Sequence, residues 1–327
     1  MGRKQNILIV GAGFSGSVIA RELAEAGFSI TVIDQRNHIA GNCYDEIIGS
    51  VKVHKYGPHL FHTNNKKVVD WLSKFTDWIE YKHKVKALYK DQFLTVPPNK
   101  QTKEYLGDKL FEVIYKPYSE KMWGVEVDDS ILDRVKPRDD YNEYYFPNDK
   151  YQFLPKEGYT KLFENILDHN NIKVVLNTKF HKDMETNYDH IFNSMPIDLY
   201  YEFCFGELPY RSIKFHHTIC DQQIPVMNYT DNGKYTRITK WELFPNHGKG
   251  ALSTLEEPCD YKDNNDERYY PVKDKEGVNR EIYNKYAKIE NKKTTFIGRC
   301  GKYVYLDMDM AVSSAIALAN KFKNENL

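Results

Sequence analysis

Six residues near the amino terminus carry the first chemical signal. Gly11-Ala12-Gly13-Phe14-Ser15-Gly16 is a full G-x-G-x-x-G, and Asp34 stands 23 residues after Gly11. Gly11 allows a tight turn, Gly13 lets a pyrophosphate reach the backbone, and Gly16 lets a helix pack closely on a strand. Phe14 and Ser15 open that helix, whose free N–H groups suit phosphate oxygens, while the Asp34 carboxylate suits a ribose. The spacing points to dinucleotide binding. Further on, His54, His59 and His62 fall within nine positions. Gly57-Pro58 between them excludes a helical face, and no acid or thiol joins them. A polar wall beside a cofactor is therefore a better reading than a metal site. Four more clusters join aromatic residues to arginine or lysine: Tyr118 to Gly124, Arg134 to Arg138 before Tyr141 to Phe146 and Tyr151, Asn228 to Arg237, and Tyr269 to Val272 ahead of Arg299. Arginine's fork holds phosphate oxygens in pairs, and aromatic rings stack on bases and sugars.

These residues need elements to place them. Ile7-Leu8-Ile9-Val10 reads as a buried parallel strand running into the glycine turn. A helix with Val18, Ile19 and Leu23 follows, stopped by Gly27, and Ser29 to Ile33 is the next strand, ending at Asp34. This is a strand–turn–helix–strand unit of Rossmann type. After Asp34, the polar loop Gln35-Arg36-Asn37-His38-Ile39-Ala40-Gly41-Asn42 is similar to the extension that FAD-binding proteins of this type use. A late unit supports FAD: strand Thr294 to Ile297, Gly298-Arg299, and a final helix starting near Asp307 to Asp309. No second G-x-G-x-x-G holds NAD(P)H, and no C-x-x-x-x-C supplies a redox relay. In between, Lys66–Phe75, Thr102–Lys116 and Tyr159–Asp168 read as helices. Lys84–Leu88, Ile172–Asn177, Ile213–Cys220 and Tyr235–Trp241 read as strands.

Composition sets outer bounds. The 327 residues carry 46 Lys plus Arg against 46 Asp plus Glu, so a non-specific nucleic-acid binder, which needs a basic excess, is excluded. Twenty-five tyrosines are the unusual count. Five scattered cysteines without C-x-x-C fit a reducing cytoplasm, and no stretch approaches the ~18 apolar residues of a membrane span.

Taken together, the clusters resemble the UDP-galactopyranose mutase family along nearly the whole chain and in family order. They comprise Val10 to Gly16, Arg36 to Asn42, His54 to Thr63, Tyr118 to Gly124, Tyr151-Gln152, Gly158 to Leu162, Tyr235 to Arg237, Tyr269 to Val272, and Gly298-Arg299 to Asp307-Met308. The resemblance implies an isomerase that interconverts pyranose and furanose forms of a UDP-sugar, UDP-galactose by default. The reaction would proceed by attack of N5 of reduced FAD on the anomeric carbon, without net redox. An external reductant would keep the FAD active. By motif, Arg138 and Arg299 would hold the diphosphate, with Arg237 adding charge and Tyr270 and Tyr305 donating hydroxyls. Tyr118, Trp123, Tyr151 and Asn228 would form the uridine side. His59 and His62 would line the flavin. Gly11, Gly13, Phe14, Ser15, Gly16, Asp34, Gln35, Gly41, Asn42, His59, Arg299, Asp307 and Met308 would touch the cofactor.

The expected architecture is α/β. A discontinuous Rossmann-like FAD-binding domain would use 1–77, 171–208 and 275–327, with a helical insertion at 99–130. An antiparallel-sheet substrate domain would use 78–98, 131–170 and 209–274. Two departures from the family stand out. Only 23 residues separate Asn99 from Trp123, where the usual bacterial enzyme has a longer helical insertion that also serves its dimer contact; monomer and homodimer both stay open. Asp139 follows Arg138 where an apolar aromatic is usual, which would alter the nucleotide side of the pocket. The alternatives are the same reaction on UDP-N-acetylgalactosamine or another nucleotide hexose, an amine-oxidase-like FAD oxidoreductase, or a flavin-binding protein without catalysis.

Overall fold

The computed structural model describes residues 5–128, 136–272, 274 and 276–327, so Arg134 and Val135 of the basic stretch lie outside the described residues. The first apolar run is strand Asn6–Val10, with Ile7, Leu8 and Ile9 wholly buried. A strand covered on both faces belongs inside a parallel sheet. It is the central member of a five-stranded parallel sheet, in the order Ile172–Val175, Ser29–Ile33, Asn6–Val10, His190–Asn193, Thr294–Phe296. Register aligns Val10 with both Ile33 and Asn193, and Asn193 with Phe296. The strands therefore end on one edge, from which the Gly11 turn, Asp34, Ser194 and the Gly298 turn all depart. The carboxyl edge of such a sheet is where ligands sit.

The helix Phe14–Glu25 covers this sheet, and Gly27, at φ +100°, terminates it as expected. The C-terminal helix Met308–Asn326 lies against it. Glu22 ties three elements together: Lys323 Nζ lies 2.7 Å from its carboxylate, and the Trp71 indole N–H donates to it at 2.6 Å. The helix Tyr159–Leu167 falls within the expected substrate segment 131–170, yet it packs on the first helix through Phe163 and Phe14, 4.6 Å apart. Its stripe of Tyr159, Leu162, Phe163, Ile166 and Leu167 needs an apolar partner, and the first helix supplies one.

The second layer is a seven-stranded sheet in the order Tyr270–Pro271, Tyr210–Ile219, Leu252–Asp260, Arg237–Lys240, Val226–Tyr229, Val85–Tyr89, Gln92–Val96. It is antiparallel except where Val226–Tyr229 runs parallel to Val85–Tyr89, the point at which two distant stretches of chain meet. The expected single helix over 102–116 is broken. The helix Lys100–Leu106 ends at Gly107, whose φ of +50° no ordinary helix residue adopts, and a π-helical turn Phe111–Tyr115 then leads into the helix Lys116–Trp123. Leu106, Leu110, Val113, Ile114 and Tyr115 bury themselves with Ala87 and Leu94 of the neighbouring hairpin. Each such apolar side chain stabilises the structure by about 1.5–3 kcal/mol.

Candidate functional site

The glycine turn forms a cradle at the sheet's carboxyl edge. Gly11 has φ +102°, and a Cβ there would lie 2.0 Å from Ser194 Oγ; a Cβ on Gly16 would lie 1.9 Å from Gly11 O. Neither position admits a side chain. Gly13 and Gly41 face each other, and a Cβ on Gly41 would come within 3.0 Å of Gly13 Cα. Gly298, at φ +68°, faces Ser15 and Ser194. The first intrahelical bond runs from Ser17 N–H to Gly13 O. The N–H groups of Phe14, Ser15 and Gly16 thus stand at the helix end, where an anion is favoured. Asp34 accepts from Ala12 N–H and Arg36 N–H, both at 2.9 Å, so its carboxylate is fixed beside the turn. Gln35 is exposed, and Asn42 accepts from Arg36 at 3.0 Å. The Phe14 ring goes into the core, leaving only its backbone to face a ligand. Bare backbone, helix end and fixed carboxylate fit the pyrophosphate and ribose of a dinucleotide such as FAD.

A cleft of about 520 Å³ opens beside the cradle, between the two sheets and the helical insertion. Met308 marks the near end: its sulfur lies 3.7 Å from Cys43 in the Gly41–Cys43 turn. His59, His62 and Asp307 also line this part. Burial pushes the His59 pKa down to about 4, with Arg299 and Arg237 acting in the same sense, so the imidazole is neutral near pH 7. Its backbone N–H is held by His54 Nδ1 at 3.0 Å, and its own Nδ1 meets Gly57 O at 2.9 Å. His62 stacks on Phe146 with ring centroids 3.6 Å apart and meets Asp149 at 2.7 Å.

Two arginines stand in the cleft. Arg299 is braced by the carbonyls of Leu306 at 2.7 Å and Tyr269 at 3.3 Å, and lies over the rings of Tyr305 and Tyr270 at 4.8 and 5.5 Å. Tyr270 and Tyr305 stack on each other, and Trp123 leans on Tyr270 at 6.0 Å. Arg237 pairs with the buried Glu256 at 2.7 Å, skewed from the line of a good hydrogen bond. Burial raises the Glu256 pKa, and Arg237 opposes that rise. Burial also raises the pKa of Tyr118 and Tyr270, so both keep their protons as donors.

The structure therefore brings together His59, His62, Tyr118, Trp123, Arg237, Tyr270, Arg299, Tyr305, Asp307 and Met308. Three expected residues are not among the side chains that line the cleft. The Arg138 guanidinium donates to the carbonyls of Asn142, Tyr144 and Pro97 at 2.7, 3.0 and 3.1 Å, bracing an irregular loop whose carbonyls have no strand partner. Tyr151 lies in a small sheet opposite Thr63, and Asn228 sits inside the seven-stranded sheet opposite Arg237. Asp139 faces solvent and pairs with Lys103 at 2.6 Å. Of the histidine block, His54 leaves the cleft and pairs with His247 at 3.1 Å. Sequence reasoning missed the far end of the cleft: His83, Val85, Val96, Pro97, Pro98, Ile114 and Tyr115. Their only advance signal was an apolar hairpin and turn flanking a tyrosine-rich helix.

Comparison with known proteins matches this geometry. Residues 113–305 match the family model described as UDP-galactopyranose mutase, and residues 9–75 match a NAD(P)-binding Rossmann-like domain. A probable UDP-galactopyranose mutase of Klebsiella pneumoniae is 36% identical, over 97% of this chain and 94% of that one. The dTDP-fucopyranose mutase of Escherichia coli is 33% identical, over 98% of this chain and 99% of its own. A crystal structure of reduced UDP-galactopyranose mutase superposes with a TM-score of 0.75 at 14% identity, covering 99% of this chain and 95% of that one, and so shares the fold. An arginine–tyrosine cleft opening beside a dinucleotide cradle, with relatives matched end to end, places the chain in the UDP-galactopyranose mutase family, flavin-dependent isomerases of nucleotide-sugar ring forms.

Proposed function

We propose that the chain interconverts the pyranose and furanose forms of a UDP-hexose, UDP-galactose by default, with reduced FAD bound at the cradle. The observation that carries the reading is Arg237 and Arg299 in one cleft with Tyr118, Tyr270 and Tyr305, at the side where Met308 meets the Gly41–Cys43 turn. Gly11, Gly13, Gly16, Asp34, Gly41 and Gly298 would hold the FAD. When bound and reduced, it supplies an N5 nucleophile for the anomeric carbon. The protein's own share is electrostatic. Arg299 and Arg237 neutralise the departing diphosphate, and being braced in advance they need no reorganisation as its charge develops. Tyr270 and Tyr305 offer hydroxyls to the same oxygens. Neutral His59 can exchange a hydrogen bond with the sugar without adding charge there. The apolar far wall excludes water from the returning diphosphate.

The test is direct. Dithionite-reduced, FAD-loaded protein incubated with UDP-galactofuranose should yield UDP-galactopyranose on chromatography; no interconversion with FAD demonstrably bound overturns the reading. A second substrate, a dTDP-deoxyhexose, is favoured by the 33% identity to the dTDP-fucopyranose mutase, and the same assay with dTDP-fucopyranose decides between them.

A further inference from the structure

Tyr115, at the far end of the cleft, carries a buried polar atom without a protein partner. It is 6% exposed, lines the cleft, and its hydroxyl makes no hydrogen bond. Burying such a group unpaired costs free energy, so a buried orphan in a binding cleft points to a partner that arrives with the ligand. Its position says which part of the ligand. Met308 and Asp307 mark the flavin end, and Arg237 and Arg299 hold the diphosphate between. An extended nucleotide sugar with its anomeric carbon toward the flavin then lays its nucleoside against Val85, Val96, Pro97, Ile114 and Tyr115. Tyr115 also closes the π-helical turn Phe111–Tyr115, a local irregularity often found at functional sites. Burial pushes the Tyr115 pKa up to about 12, against a smaller opposing pull from Arg138, so the hydroxyl keeps its proton and can donate.

We infer that the Tyr115 hydroxyl donates a hydrogen bond to an oxygen of the substrate's nucleoside, on the base or ribose, and is a specificity residue of this cleft. The inference rests on the nucleotide-sugar reading above. Tyr115→Phe removes only an oxygen with no internal partner, so the unliganded variant should melt no lower than the parent protein. Calorimetric titration with UDP should show about a tenfold weaker Kd. Inorganic diphosphate, which has no nucleoside, should compete with UDP with the same inhibition constant in both proteins. An unchanged UDP affinity overturns the assignment. So does an equal weakening toward UDP and diphosphate. Parent protein that binds neither UDP nor dTDP overturns the nucleotide-sugar reading and this assignment with it.

Discussion

Arg138 and Arg299 look alike in sequence, each an arginine beside tyrosines, but their surroundings divide their work. Arg299 keeps its guanidinium over Tyr270 and Tyr305 on the cleft wall, held by two carbonyls. Arg138 spends both terminal nitrogens on three carbonyls, two in its own loop and one at Pro97. Arg299→Ala should therefore lower turnover about 10²–10³-fold, the scale for losing one preorganised donor to developing charge. Arg138→Ala should lose about 2–4 kcal/mol in urea unfolding, since hydrogen bonds from a charged donor are the stronger kind. Assayed well below its melting temperature, it should keep more turnover than Arg299→Ala. Unchanged unfolding with an equal turnover loss would put the diphosphate on Arg138 after all. Residue type could not make this distinction, because which carbonyls a loop leaves unpaired depends on where residues 97, 142 and 144 meet in space.

At the scale of elements the sequence was more informative. The strand Asn6–Val10, its glycine turn, the helix to Glu25 and the strand ending before Asp34 were all readable, because each is a local pattern whose meaning does not depend on distant chain. The helix read over 102–116 was not, since Gly107 breaks it and the π-helical turn that places Tyr115 is fixed by packing on a hairpin from residues 85–96. The glycine turn also gives a clean test of the cradle. A Cβ on Gly13 meets only Gly41 Cα, at an ordinary 3.7 Å, and Gly13 has an extended φ of −84°. Gly13→Ala should fold, while its methyl occupies the space through which a pyrophosphate reaches the backbone. The expected result is a soluble protein with near-parental melting temperature and a much lower 450 nm to 280 nm absorbance ratio after purification. Full flavin loading would place the cofactor elsewhere.

Across the whole molecule, zero formal charge conceals a strong local sorting. The cleft gathers Arg237 and Arg299, while histidines are packed into dry surroundings as neutral rings. Burial lowers the pKa of His59 to about 4, with Arg299 and Arg237 adding to the effect, and that of His83 to about 3, with Arg237 adding. Burial lowers His190 to about 4 as well. His54 is pushed down by burial and then by its neighbours His247, His59 and Lys52, and its bonds need a neutral ring: Nδ1 accepts from His59 N–H, so Nε2–H donates to His247. An unfolded histidine titrates near 6.5. Well above that pH neither state binds the proton and these groups are silent. Below it the unfolded chain gains protons that the folded chain refuses, so stability is lost as pH falls from about 6.5 toward the folded values near 4. Each such histidine contributes a slope of up to ~1.4 kcal/mol per pH unit in that window. Urea midpoints measured at pH 7.5, 6.5, 5.5 and 4.5 should drop only slightly between the first two and fall steadily over the rest, before most carboxylates titrate. His190→Phe, far from the cleft and against Phe192 and Phe322, should flatten that fall by one histidine's share. A midpoint level down to pH 4.5 would mean that these rings take up protons in the folded state and are wetter than their packing shows.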